Sequence, residues 1–153
     1  MIGLLQRVTE ASVTVDGETV GRIGPGLAVL VGVQRGDGPE QARRLAERLL
    51  AYRVFEDEDG RMNLSLTDTG GGLLLVPQFT LAADTRKGNR PGFSRAAEPE
   101  LGKELFAVLV AAAREAGIPV ETGRFGANMD VRLTNRGPVT FWLEVPPPAA
   151  SLK

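Results

Sequence analysis

Two segments of this chain carry the 3.6-residue period of a helix, and the remainder alternates like strand or breaks into Gly- and Pro-rich turns. In GPEQARRLAERLLAYR, Ala42, Leu45, Ala46, Leu49 and Leu50 fall on one helical face, and Pro39 suits the first helical position. In EPELGKELFAVLVAAAREAGIP, Leu101, Leu105, Leu109, Ala112 and Ala116 line one face. Pro99 opens that helix, Gly117 caps it and Pro119 blocks its continuation. Because strands and helices do not alternate, a doubly wound parallel sheet is not expected. The expectation is one α+β domain with mainly antiparallel sheets, roughly eight strands and two main helices.

The strand signals cluster early. ASVTV alternates, Asp16-Gly17 is a hairpin signal and ETVGRI follows. Gly24 to Gly26 turns again before the buried-looking run Leu27 to Val33. The acidic stretch Glu56 to Gly60 lacks the ligand spacing and closing Glu of a calcium loop, and reads as a turn. The glycines opening GGGLLLVPQFTL lack the Lys-Ser/Thr of a phosphate loop, so they read as a turn before a buried strand. VETGRF and MDVRLTN read as two more strands. The domain is expected over residues 1–145, with a flexible C-terminal tail over 146–153. No apolar run approaches a membrane span, and the N-terminal stretch lacks the pattern of a signal peptide, so a cytoplasmic, membrane-free protein is expected.

The chain contains neither cysteine nor histidine. That removes disulfides, thiolate nucleophiles, zinc–thiolate sites, the usual neutral-pH general base and any Ser-His-Asp triad. Catalysis must use hydroxyls, carboxylates, amines, backbone groups or the substrate itself. The net charge of −1 excludes a strongly basic nucleic-acid coat. One local run, TRKGNRPGFSR, still holds Arg86, Lys87, Arg90 and Arg95 without an acid; it is either a solvated loop or a phosphate-binding one. In NRGPVTFW, Gly137-Pro138 sits hard against the strand-like Val139 to Val145. Proline offers no N–H to a sheet, so the local reading is a turn before a strand.

Five stretches taken together, MIGLLQRVTEASVTVDGE, YRVFEDEDGRMNLSL, PQFTLAADTRKGNRPGF, TGRFGANMDVRLTN and NRGPVTFWLEV, resemble the D-aminoacyl-tRNA deacylase (D-Tyr-tRNA deacylase) family, in order, from Met1 to about Val145. The resemblance implies a barrel-like fold and a homodimer that hydrolyses the ester joining a D-amino acid to the 3′ acceptor end of tRNA, with no metal or cofactor. It implies that Gly137-Pro138 is a cis peptide inserted into the partner subunit's site, where it rejects one enantiomer by clash. Arg7 would brace that turn, the alternative being a surface strand arginine. By the same resemblance Gln78, Phe79 and Thr80 would carry the catalytic roles: backbone N–H groups of Phe79 and Thr80 as oxyanion donors, and Gln78 positioning the ribose or ester. The substrate's ribose hydroxyl would activate water, because the Thr80 hydroxyl has no adjacent base in sequence. Arg86, Lys87 and Arg90 would meet phosphates. Phe125 and Met129 would pack around the adenine, or else belong to the core. Family members commonly carry Ser where this chain has Pro77, which removes a hydroxyl and an N–H near the aminoacyl carbonyl. A related branch carries Pro-Gln-Ala-Thr with relaxed chiral selection; Phe79 here keeps the D-specific reading, with glycyl-tRNA also passing. The rival readings are a relaxed-chirality deacylase, a non-catalytic binder of aminoacyl-tRNA 3′ ends and a structural dimer with no RNA role.

Overall fold

One strand, β1 (Ile2–Val15), is long enough to serve three neighbours. Along one edge its first part pairs antiparallel with β3 (Gly26–Gly32), from Ile2↔Gly32 to Val8↔Gly26. Its second part pairs with β2 (Glu18–Ile23), from Ala11↔Ile23 to Val15↔Glu18, and Asp16-Gly17 closes that hairpin as expected. Its other edge pairs with β8 (Asp130–Glu144) from Ile2↔Glu144 to Thr14↔Asp130. The computed structural model describes residues 1–149.

The remaining elements are α1 (Pro39–Ala51), β4 (Phe55–Glu56), β5 (Met62–Leu64), α2 (Leu66–Thr69), β6 (Gly72–Pro77), α3 (Pro99–Arg114) and β7 (Val120–Thr122). Strand β6 pairs parallel with β3 and with β7, because α1 and α3 supply the crossovers that parallel pairing needs. The sheet is therefore antiparallel around β1 and parallel around β6. It curls until β2 lies against β6 and β7, giving a nearly closed, barrel-like single domain. Val8, Ala11, Val13, Ile23, Ala28, Leu74 and Val76 fill the inside of the curl. The outer face packs Leu5, Leu27, Val29, Leu73 and Leu75 against α1 and α3.

Helix α1 buries Ala42, Leu45, Ala46 and Leu49, the face read from its spacing, and its first N–H group at Gly38 donates to Gln41 Oε1 at 2.8 Å. Helix α3 is rotated from the expected face. It buries Gly102, Leu105, Phe106, Leu109, Val110 and Ala113, leaves Leu101 and Ala112 half-buried, and ends before the exposed Ala116. The helix is apolar around most of its circumference, so spacing alone does not orient it; packing on α1 and the sheet does. Helix α2 is additional to the two expected. Ser65 and Asp68 cap it reciprocally, Ser65 Oγ accepting from the Asp68 N–H at 3.1 Å and Asp68 Oδ2 from the Ser65 N–H at 2.9 Å. The expected strand MDVRLTN and the strand after Gly137-Pro138 are one continuous element, β8. Of the tail expected from residue 146, Pro147 is buried and residues 150–153 lie outside the described residues.

At the start of the sheet the Met1 ammonium is buried, donating to Asp37 Oδ1 at 3.0 Å, Gln34 Oε1 at 3.2 Å and the Val145 carbonyl. Burial pushes the ammonium pKa down and the Asp37 carboxyl up, while their mutual attraction opposes both shifts. These contacts tie the residue before β1 to the end of β8.

The curl leaves no room where β2 crosses β7. A Cβ added at Gly21 would stand 2.6 Å from the Thr122 carbonyl oxygen, whereas one added at Gly24 would meet nothing within 4 Å. Gly21→Ala should lower the unfolding free energy by about 1–3 kcal/mol, the range for overpacking. Gly24→Ala should stay within about 0.5 kcal/mol of the parent in the same urea titration. Equal stability of the two variants would contradict the closed curl.

Candidate active site

The parallel half of the sheet ends in a crevice, the place where strands of one direction leave their carboxyl ends unobstructed. Strand β6 is buried through Leu73, Leu74, Leu75 and Val76, and then delivers Pro77 and Gln78 to the surface. Pro77 pairs with Val31, and the Gln78 N–H donates to the Val31 carbonyl at 2.7 Å, so both residues are held in register to the edge. A cleft of about 530 Å³ opens there, walled by Pro77, Gln78, Phe79, Phe106, Phe125 and Met129 among others.

Five residues singled out in the sequence thus meet in one cavity: Pro77, Gln78, Phe79, Phe125 and Met129. Phe125 and Met129 satisfy both readings given to them, since each lines the cleft and also packs half-buried against a core cluster. Met129 Sδ additionally accepts from the Arg124 N–H at 3.3 Å, closing the loop between them. Gly126, Ala127 and Asn128 complete this wall and were not singled out in the sequence.

A single 3₁₀ turn, Phe79–Ala82, follows Gln78. The first N–H groups of such a turn, those of Phe79 and Thr80, have no partner within it; Phe79 lines the cleft and Thr80 follows it in the chain. Thr80 is exposed, and its hydroxyl oxygen accepts from the Gln78 side-chain amide. An amide donor is not a base, so this contact does not activate the hydroxyl as a nucleophile.

Gly137-Pro138, Arg7 and the cationic loop lie outside the cleft lining of their own chain. Gly137-Pro138 is a cis peptide inside β8, not a turn ahead of it. Gln6 pairs with Thr140 and Val8 with Asn135, so residues 136–139 bulge opposite the single residue Arg7. Arg136, Gly137 and Pro138 are exposed, and Gly137 has φ +137°, where a side chain would be strained and would meet Val139 Cγ2 at 2.7 Å. Asn135 straps the bulge from below: its Oδ1 accepts from the Val139 N–H at 2.8 Å and its Nδ2 donates to Thr140 Oγ1 at 2.8 Å.

Arg7 is not a surface arginine. It is buried, and its Nε donates to the Arg136 carbonyl at 3.0 Å while Nη1 donates to the Val54 carbonyl at 2.8 Å. Glu56 approaches the same guanidinium at 3.8 Å from an exposed position. One side chain thereby fastens the bulge to the segment after α1.

Arg86 is paired with Asp84, whereas Lys87 and Arg90 enter no ion pair among the described residues. Its guanidinium holds Asp84 by both carboxylate oxygens, at 2.9 and 2.8 Å, and its N–H donates to Asp84 Oδ1 at 3.1 Å. The guanidinium hydrogen bonds, then the Arg86 N–H, hold the Asp84 carboxyl well below the usual carboxylate range. Asp84 was missed because the acid-free run was read from Thr85 onward; an Asp two residues before an Arg is the local signal for such a pair. Among the described residues no cluster of three or more His, Cys, Asp or Glu stands close enough to hold a metal ion.

Comparison with known proteins follows the same residues. A family model described as D-Tyr-tRNA(Tyr) deacylase matches residues 4–144. A D-aminoacyl-tRNA deacylase of Thioalkalivibrio sulfidiphilus is 71% identical over 148 residues, covering 97% of this chain and 99% of that protein. One from Alkalilimnicola ehrlichii is 67% identical over 150 residues, covering 98% and 100%. A solved structure described as c-Myc DNA Unwinding Element Binding Protein superposes with TM-score 0.90 at 38% identity, covering 95% of this chain and 99% of its own. Another, described as a probable eukaryotic D-amino acid tRNA deacylase, has TM-score 0.81 at 20% identity, covers 94% and 98%, and shares the fold.

Replacing Arg7 by Met keeps the aliphatic stem and removes both carbonyl donors. The buried Val54 carbonyl then lacks a partner, and the unfolding free energy should fall by about 1–3 kcal/mol. Denaturant unfolding that matches the parent within error would show that the guanidinium does not fasten the bulge.

Proposed function

The chain belongs to the D-Tyr-tRNA(Tyr) deacylase family, whose members are ester hydrolases, and from that premise we propose that it removes D-amino acids from the 3′ end of tRNA as a homodimer. The observation that carries this reading is the pairing of a cleft at the ends of β3, β6 and β7 with an exposed, braced Gly137-Pro138 bulge outside its own chain's cleft. A second copy brings that bulge to the cleft, and each site is completed by its neighbour.

The bulge senses handedness through main chain alone. Backbone carbonyls of Gly137 and Pro138 accept the substrate α-ammonium, and the Phe79 and Thr80 N–H groups receive the ester oxygen. With two substituents of Cα held, the other two have fixed directions. A D side chain points to open space, and an L side chain meets the bulge. Rejection by clash discriminates more strongly than a missing contact. D side chains of any kind pass, and so does glycine, which has no side chain to reject.

In the chemical step, water adds to the ester carbonyl, the acyl C–O3′ bond breaks, and the ribose oxygen leaves with a proton. No histidine exists to move protons. The neighbouring ribose 2′-hydroxyl activates the water, the two N–H groups stabilise the oxyanion, and Gln78 orients the ribose or ester. Phe125 and Met129 grip the terminal adenine. Lys87 and Arg90 meet backbone phosphates, with Arg86 holding the loop through Asp84. Pro77, which brings neither a hydroxyl nor an N–H, leaves the aminoacyl carbonyl to its neighbours.

The native protein should release label from D-Tyr-tRNA and leave L-Tyr-tRNA intact; loss from neither, or equally from both, contradicts the reading. A 2′-deoxy terminal ribose should slow cleavage by roughly 10² or more, the scale of general-base assistance. Thr80→Ala should retain much of its activity, since only its N–H is used. Complete loss in a folded variant, with 2′-deoxy substrate cleaved at full speed, would assign the attack to the Thr80 hydroxyl.

A further inference from the structure

Two large, partly exposed aromatic side chains stand beside the cleft, in contact with each other. Phe79 is 59% exposed and Phe93 42% exposed, with ring centroids 5.2 Å apart and planes tilted by 53°. We propose that Phe79 and Phe93 form a stacking subsite for the nucleobase that precedes the terminal nucleoside of the RNA substrate, an inference that rests on the deacylase reading above.

Position comes first. Phe79 is itself a wall of the cleft and touches Phe93, so the pair stands beside the place a terminal nucleoside would occupy. The backbone that carries Phe93 is also anchored. Gly92, next to Phe93, exchanges two backbone hydrogen bonds with Asp84, at 2.7 and 3.0 Å. The Phe93 carbonyl accepts from the Ala96 N–H at 3.1 Å, and Ala96 bridges to Gln34. The Phe93 backbone is therefore held on both sides, so little main-chain freedom remains to be lost when a base arrives. Phe79 opens the 3₁₀ turn that its own N–H and that of Thr80 commit to the ester.

Charge then selects among occupants. A cleft of about 270 Å³, lined by Asp84, Arg86, Lys87, Arg90, Gly92 and Ser94, lies on the loop that carries Phe93. Arg86 is neutralised by Asp84, and Lys87 and Arg90 enter no ion pair among the described residues. Exposed aromatic faces beside unpaired cations match a single-stranded polynucleotide, whose bases stack while its phosphates sit on the cations. An apolar protein surface would have no use for those cations.

The test compares two D-tyrosyl minihelices, one with a normal 3′ end and one abasic at the penultimate nucleotide. For the native protein, removing the base should lower kcat/KM about ten-fold or more, chiefly through KM, which is the scale of one base on an aromatic face. Phe93→Leu should show a similar loss on the normal minihelix and no further loss on the abasic one; Phe93→Trp should restore stacking. Equal cleavage of both minihelices by the native protein overturns the subsite alone. So does a Phe93→Leu loss that is the same on both, or a change of subunit number on sedimentation, which would place the pair between protein copies. No cleavage of the normal minihelix overturns the deacylase reading and the subsite with it.

Discussion

A single guanidinium, that of Arg7, holds two carbonyls that the sheet cannot satisfy. β1 and β8 pair on both sides of the bulge, but the residues 136–139 have only Arg7 opposite them. Arg7 answers with its side chain, reaching the carbonyl just before Gly137 and, across the fold, that of Val54. Asn135 completes the strap from the β8 side. Discrimination by clash requires a wall that does not yield, and supporting hydrogen bonds supply that rigidity better than packing of an exposed loop. The rest of the molecule serves this arrangement: the long ladder between β1 and β8 fixes the bulge, and the parallel strands fix the cleft.

What was legible in the sequence was local. The hairpin at Asp16-Gly17 and the face of α1 follow from turn chemistry and spacing within one element. The face of α3 was not legible, because Phe106 and Val110 make the helix apolar on several sides and only packing decides among them. Helix α2 had a signal that went unused, Ser65 three residues before Asp68 with Gly70 after them. The continuity of β8 was hidden for a stronger reason. A proline inside a strand argues locally for a boundary, and the residue that makes the interruption tolerable, Arg7, is 129 positions away from the carbonyl it holds. Likewise the burial of Arg7 could not be read from its flanks. The cleft residues Pro77, Gln78, Phe79, Phe125 and Met129 were assembled by resemblance, since they lie on separate segments that only the β6 and β7 ends bring together.

The absence of histidine restricts the proton-transfer chemistry open to the site. The Thr80 hydroxyl faces an amide and not a base, and the N–H groups that open the turn at Phe79 and Thr80 have no partner within it. A site built in this way stabilises developing charge more readily than it moves protons. Under the proposed mechanism the substrate brings its own hydroxyl, which would tie activity to RNA esters.

The most direct test of the central claim is the ratio of D-Tyr-tRNA to L-Tyr-tRNA hydrolysis in a folded Arg7→Met variant, set beside the parent. If Arg7 holds the main-chain wall that senses handedness, the ratio collapses toward unity as the wall loosens and L substrate gains entry. A variant that keeps its fold, its subunit number and the full enantiomer ratio of the parent would contradict the account.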